Sequence, residues 1–134
     1  MVEVVAAVMM REGKILIGQR KRTGRHPLKW EFPGGKVEPG EDPRAALARE
    51  LREELNVDAL IGEELDSYEV GYGDGFQLML RFFRVTGFQG EPRNLDFEQI
   101  AWEVPGRLPE YDFLEGDVLF ISKMGRWWRP AEAG

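Results

Sequence analysis

Residues 35–57 read GKVEPGEDPRAALARELREELNV, and the fold is decided by how this stretch is read. Glu38-Pro39-Gly40 is a turn. Asp42 is a good N-cap, and Pro43 suits the first position of a helix, where a missing N–H costs nothing. Residues 45–55 are all good helix formers. Asn56 stands where a left-handed C-terminal cap is expected. The pattern predicts a helix over 43–55. At about 100° per residue, Leu47, Ala48, Leu51 and Leu55 share one apolar arc that faces a core. Glu50, Glu53 and Glu54 share the adjacent arc. Carboxylates at i, i+3 and i+4 repel one another, and Glu54 lies beside the apolar stripe, where an unpaired charge is costly. Hard divalent cations with oxygen ligands relieve both problems. The alternative is an ordinary acidic face neutralised by Arg49, Arg52 and solvent.

Upstream of this helix, the Val- and Ala-rich run 2–10, the turn Arg11-Glu12-Gly13 and residues 14–19 predict a hairpin. Residues 21–29 are a basic loop containing Gly24 and Pro27. Trp30-Glu31-Phe32 is a short extended piece entering Pro33-Gly34-Gly35, because Pro33 biases Phe32 away from helix. Downstream, residues 67–72 and 76–85 read as strands joined by a Gly73-Asp74-Gly75 turn. Residues 87–94 read as loop, 99–104 as a short strand and 115–127 as a second helix. Mixed strands and helices in 134 residues predict one domain over 1–134, of class α/β or α+β, with helices covering a sheet.

Hydrophobic residues make up 43% of the chain, enough for a packed core, and there is no cysteine. A disulfide framework, a thiolate zinc site and a cysteine nucleophile are thereby excluded. The apolar start lacks a signal-peptide layout, and no stretch approaches the roughly 20 apolar residues of a membrane span. The expectation is a cytoplasmic protein without a membrane partner. Net charge is −6, which argues against a stable nucleic-acid complex. The charge is segregated: residues 11–36 hold eight Lys/Arg against two Glu, while residues 37–66 hold ten Asp/Glu against three Arg. A basic segment beside an acidic one suits a phosphate ligand bridged by cations, or else two solvated surfaces of opposite sign.

Gly35, Glu41, Arg49-Glu50-Leu51, Glu53-Glu54 and Val57 stand at the spacing GX5EX7REUXEEXGU, with U aliphatic. This stretch resembles the Nudix box. The one departure is Asn56 at the family's second glycine, and both residue types tolerate the left-handed conformation. Residues 30–36, WEFPGGK, are similar to the MutT-type branch, which acts on nucleoside triphosphates. The resemblance implies an α/β/α sandwich with a mixed central sheet and a loop-helix-loop catalytic element over 35–57. It implies Mg2+, or Mn2+ in its place, held by Glu53, Glu54 and the Gly34 carbonyl. Glu50 would lie near the attacking water, Arg49 would orient Glu50, and Glu41 would stabilise the loop and helix start.

Further implied roles lie outside the box. Arg20 matches a position that contacts phosphate, and Lys36 joins it in binding substrate. Phe32 would line a base pocket. Asp117, at the start of the second helix, would read the base edge or merely favour the helix dipole. An ionised Asp only accepts hydrogen bonds, which suits the cytosine amino group or the guanine N1–H and N2–H2. An additional acidic metal group is expected after the box, at Glu98 or Asp96, with Glu98 preferred for its nearness to the 99–104 strand. His26 is read as a surface residue, and Phe76 and Phe82 as core. The implied reaction is hydrolysis of a (deoxy)nucleoside triphosphate, oxidised or noncognate forms included, to monophosphate and pyrophosphate by a monomer or homodimer. The alternatives are another nucleoside diphosphate derivative (ADP-ribose, a nucleotide sugar, an RNA 5′ end) or a binding module without catalysis.

Overall fold

The computed structural model describes residues 1–72 and 75–127, with side chains to Met124. The Gly73-Asp74-Gly75 turn and the Trp-rich tail from Trp127 fall wholly or partly outside the described residues. Nine elements follow in order: β1 (Val2–Arg11), β2 (Lys14–Gln19), β3 (Trp30–Glu31), β4 (Gly34–Lys36), α1 (Pro43–Leu55), β5 (Asp58–Tyr72), β6 (Phe76–Gln89), β7 (Gln99–Glu103) and α2 (Glu115–Trp127). A 3-10 turn, Pro105–Glu110, precedes α2. Among the described residues no helix is long and apolar enough to cross a membrane.

The sheet is mixed. Its main path is β3-β2-β1-β6-β5, with β4 on β1 and β7 on β2. β1 and β6 run parallel from Val2↔Leu78 to Met9↔Val85, and the other strand pairs are antiparallel. β1 is buried on both faces, which is why its sequence is a continuous apolar run rather than an alternating one. Val5, Ala7 and Met9 pack with Leu16, Leu47, Leu51, Leu55 and Phe83 on the α1 side. Ala6 and Val8 pack with Ile15, Ile17, Phe32, Phe82, Phe120 and Met124 on the α2 side. The expected α/β/α sandwich is what is found. Emptying one buried position, as in Leu51→Ala, costs about 2–5 kcal/mol.

α1 begins and ends as its sequence demands. The Asp42 carboxylate accepts from the Ala45 N–H at 3.1 Å, and Asn56 adopts φ 58° while its N–H reaches the Arg52 carbonyl at 3.0 Å. One detail differs from the helical wheel: the buried set is Ala46, Leu47, Leu51, Glu54 and Leu55, not Ala48. The core-facing arc is rotated toward the carboxylates and takes Glu54 inside.

Two strands are longer than their sequences predict. β5 starts at Asp58 instead of residue 67, and β6 runs on to Gln89, taking in residues expected to be loop. Register shifts between Leu60 and Asp66 break the two-residue alternation there. β5 is also the sheet's edge, so one side of this half-strand tolerates charged residues.

Candidate active site

Glycines bring α1 against β1 and β4. A Cβ at Gly34 would run into the Val5 carbonyl, and one at Gly35 would run into the Glu50 carboxylate. The Pro33 carbonyl accepts from Ala7 N–H at 2.8 Å, and Val37 N–H donates to the Glu3 carbonyl at 2.9 Å, which fixes the loop entering the helix.

Arg49 organises the box. Its Nε and Nη2 donate to the two oxygens of Glu41 at 2.8 and 3.1 Å, Nη1 reaches Glu50 at 3.2 Å and Glu53 at 3.3 Å, and Nη2 reaches the Lys36 carbonyl at 3.2 Å. Glu41 also accepts from the Glu38 N–H at 3.0 Å. These bonds hold the Glu41 carboxyl below its ordinary range, Arg49 contributing most. Glu41 thus ties the turn to the helix and takes no part in the cavity.

The three helix carboxylates are not equivalent. The Glu53 side chain is 59% exposed, that of Glu50 only 17%. Burial raises the Glu50 carboxyl, against the opposing pull of Arg49. Glu54 is buried at 8% exposure, and its Oε1 accepts from the Gly34 N–H at 3.1 Å. Burial first, then the charges of Glu31 and Glu50, push its carboxyl up to about 9.

Glu54 opens into a cavity of about 520 Å³, the size of a small-molecule site. Gly34, Lys36, Arg20, Phe32, Asp96 and Asp117, all singled out from the sequence, line it. Glu98 does not. The loop carrying both late acids is pinned to the end of α1, since Arg93 and Leu95 N–H donate to the Leu55 and Glu54 carbonyls at 2.8 and 3.0 Å. Phe97 is buried against Gly18 and bracketed by the Asn94 side chain at 2.8 and 2.9 Å. The bend at Phe97 leaves Asp96 in the cavity and turns Glu98 outward to Arg22, at 3.2 Å. Of the two late acids the sequence offered, the cavity therefore takes in Asp96 and not the preferred Glu98. Strand proximity favoured Glu98, but the turn decides which side each acid faces.

Arg20 is also placed differently from a plain phosphate contact. Its Nε donates to the Arg25 carbonyl at 2.9 Å and its Nη1 to Glu31 at 3.1 Å. Glu31 is a site residue that the sequence reading missed. Burial outweighs the Arg20 charge and pushes its carboxyl up to about 7, with Asp96 and Glu50 adding repulsion. A two-residue strand carries no periodicity, so nothing in the sequence marks Glu31 as buried. Tyr72, Phe76 and His26 line the cavity as well. The His26 and Tyr72 rings meet at 5.1 Å. Phe82 is core, as expected, stacked on Phe120 at 4.0 Å.

The far end is apolar. Phe32 stands edge-on to Phe82 and Phe120 at 6.0 and 5.6 Å. Beside it Asp117, 4% exposed, accepts from the Phe32 N–H at 3.4 Å. Burial, with the Glu31 charge added, raises the Asp117 carboxyl well above its ordinary range. That direction favours the protonated form over the ionised, accept-only Asp117 expected from the sequence, and the protonated form donates as well as accepts.

Glu31, Glu50, Glu54 and Asp96 form one field of negative charge, as their mutual effects on Glu54 and Glu31 show. Among the described residues no three stand close enough to ligate one ion as they are; Arg49 holds Glu50 and Glu53. The donor set is nevertheless all oxygen and strongly anionic, and that chemistry fits a hard divalent cation.

Comparison with known proteins identifies the family. The NUDIX domain model matches residues 1–122. The chain is 39% identical to the CTP pyrophosphohydrolase of Escherichia coli (strain K12), covering 98% of both chains. It is 37% identical to the putative 8-oxo-dGTP diphosphatase 2 of Mycobacterium tuberculosis (strain H37Rv), covering 92% of this chain and 87% of that one. The solution structure of the E. coli ORF135 protein superposes with TM-score 0.84 at 37% identity, covering 98% of this chain and 94% of that one. A catalytic element matched in sequence, a sheet matched in topology and relatives matched over nearly their whole length lead to one conclusion: the chain belongs to the NUDIX family and is a hydrolase of phosphoric anhydride bonds.

Proposed function

We propose that the chain hydrolyses a nucleoside triphosphate to monophosphate and pyrophosphate, with Mg2+, or Mn2+ in its place, as cofactor. The observation that carries this reading is one cavity with two unlike ends, a carboxylate cluster at Glu31/Glu54/Asp96 and an aromatic pocket at Phe32 closed by Asp117. The relatives named for CTP and 8-oxo-dGTP point the same way.

Glu53, Glu54, Asp96 and the Gly34 carbonyl would hold the cation, with Glu50 beside it. The cation supplies charge screening and Lewis acidity at the phosphates. Glu50 accepts the proton of the attacking water as its oxygen bonds to phosphorus and the anhydride P–O bond breaks. Burial raises this carboxyl, which makes it a stronger base, and Arg49 orients it. Lys36 and the basic loop carrying Arg20 offset the charge on the departing pyrophosphate. Phe32 packs against the base, and neutral Asp117 donates one hydrogen bond and accepts another. Adjacent N3 and N4–H2 of cytosine, or O6 and N1–H of guanine, match that pair.

The test is turnover across nucleoside triphosphates, ADP-ribose and nucleotide sugars, with and without Mg2+, read as phosphate freed by a coupled pyrophosphatase for the triphosphates and by a coupled alkaline phosphatase for ADP-ribose and the sugars, whose products are phosphomonoesters. Metal-dependent turnover with highest kcat/KM on a triphosphate is expected. Preference for ADP-ribose or a nucleotide sugar would redirect the assignment, and absence of any metal-dependent turnover would leave a binding module.

A further inference from the structure

Tyr68, on β5, takes no part in the cavity or the chemistry, yet it grips the element that carries Asp117. Its hydroxyl donates to the Gly116 carbonyl at 2.6 Å and accepts from the Phe120 N–H at 3.0 Å. These two groups are four residues apart, the acceptor and donor that an α-helix joins to each other. The hydroxyl thus bridges the first turn of α2 from outside. Asp117 follows immediately after the bridged carbonyl.

The rest of the turn is held from the opposite side. Leu114 N–H donates to the Trp30 carbonyl and Trp30 N–H to the Asp112 carbonyl, both at 2.9 Å. Gly116 lets β5 approach, since a Cβ there would stand 3.1 Å from the Tyr72 hydroxyl and 3.4 Å from Val70. The Tyr68 ring is fixed by Phe82 at 5.7 Å and by the Lys123 ammonium at 5.4 Å, which is paired with Asp66 at 3.2 Å. Burial keeps the hydroxyl protonated and able to donate.

We propose that Tyr68 is a positioning residue for base discrimination: by bridging Gly116 and Phe120 it sets where the Asp117 carboxyl stands beside the Phe32 pocket. This rests on Asp117 reading the base. Without the hydroxyl, the first turn of α2 loses its tie to β5, and Asp117 loses its fixed register.

The experiment compares kcat and KM of Tyr68→Phe, Asp117→Ala and the double variant on the preferred and the least preferred nucleoside triphosphate. For Tyr68→Phe, kcat on the preferred base stays within about twofold, its KM rises several-fold, and the preferred-to-disfavoured kcat/KM ratio shrinks about fivefold or more. The double variant discriminates no less than Asp117→Ala alone, because both changes remove one contact. An unchanged ratio, an equal loss on both bases or additive losses overturn the proposal. If Tyr68→Phe fails to fold, Gly116→Ala displaces the same turn, and an unchanged ratio there overturns it equally. Asp117→Ala separates the two levels. If it leaves discrimination intact, base reading by Asp117 falls and this role with it; if it abolishes discrimination while Tyr68→Phe does not, only the role of Tyr68 falls.

Discussion

The two ends of the cavity bury the same chemical group, a carboxyl, in different ways. At the α1 end Glu54 has one backbone N–H, from Gly34, and three acidic neighbours, Glu31, Glu50 and Asp96. At the α2 end Asp117 has one backbone N–H, from Phe32, and a single acid acting on it, Glu31, which Arg20 opposes. The first end concentrates negative charge that a cation would neutralise. Burial raises the carboxyl at both ends, and what sets them apart is the number of acids around each. Burial alone therefore does not say what a carboxyl is for; the sign of its neighbours does.

The sharpest way to break this contrast is at the α1 end. Glu54→Gln keeps an acceptor for the Gly34 N–H but removes the charge. Turnover should fall on the order of 10³-fold, since a bound metal contributes several kcal/mol to the transition state. The metal-free melting temperature should hold or rise. Near-normal kcat in saturating Mg2+ would remove Glu54 from the metal site.

At the other end the logic inverts. Asn is close to a protonated Asp in shape and hydrogen-bonding pattern, so Asp117→Asn should keep the ranking of bases at neutral pH. Asp117→Ala should compress that ranking about tenfold, the worth of a mispaired buried polar group of about 1–3 kcal/mol. Specificity constants across cytosine, guanine, oxidised guanine and adenine triphosphates decide it. Asn and Ala behaving alike would mean that Asp117 is not read as a neutral donor.

Stability against pH should report the buried acids as well. Glu54 and Glu31 have folded pKa values of about 9 and about 7, above the ordinary 4.5. The folded chain holds protons that the unfolded chain gives up, so stability is greatest at low pH and is lost as pH rises through those values. Metal-free protein should melt lower at pH 8 than at pH 5.5, and saturating Mg2+ should reduce the slope while raising the melting temperature modestly. A metal-free curve that rises over this range contradicts the charge field described here. The smallest effect belongs to Glu98→Gln: kcat/KM within about twofold of the parent, because its partner is the exposed Arg22. A loss matching that of Asp96→Asn would restore Glu98 to the site.

What could be read from sequence follows the same division. α1 was legible residue by residue, because Asp42, Pro43 and Asn56 each have a local conformational reason to be where they are. The box carboxylates came with it. The bulged, edge-exposed start of β5 was not legible, since charges and register shifts between Leu60 and Asp66 erase the alternation that marks a strand. Nor was Glu31, whose burial depends on Arg20 and on a loop folded from elsewhere. Asp117 was found by position, but its protonation state is a property of the packed core around it.

The parallel pairing of β1 with β6 has a consequence for how the chain comes to be folded. Val2 meets Leu78, so during synthesis β1 has no partner on that side until β6, which begins at Phe76, has been made. At roughly 5–20 residues per second, that interval is several seconds. During it a strand as apolar as Val4-Val5-Ala6-Ala7-Val8 has only its hairpin with β2 and, later, β4 to cover it. Such long-range closure slows folding relative to a helical protein of the same size. α1, however well capped, rests its Leu47, Leu51 and Leu55 on a sheet that this late pairing completes.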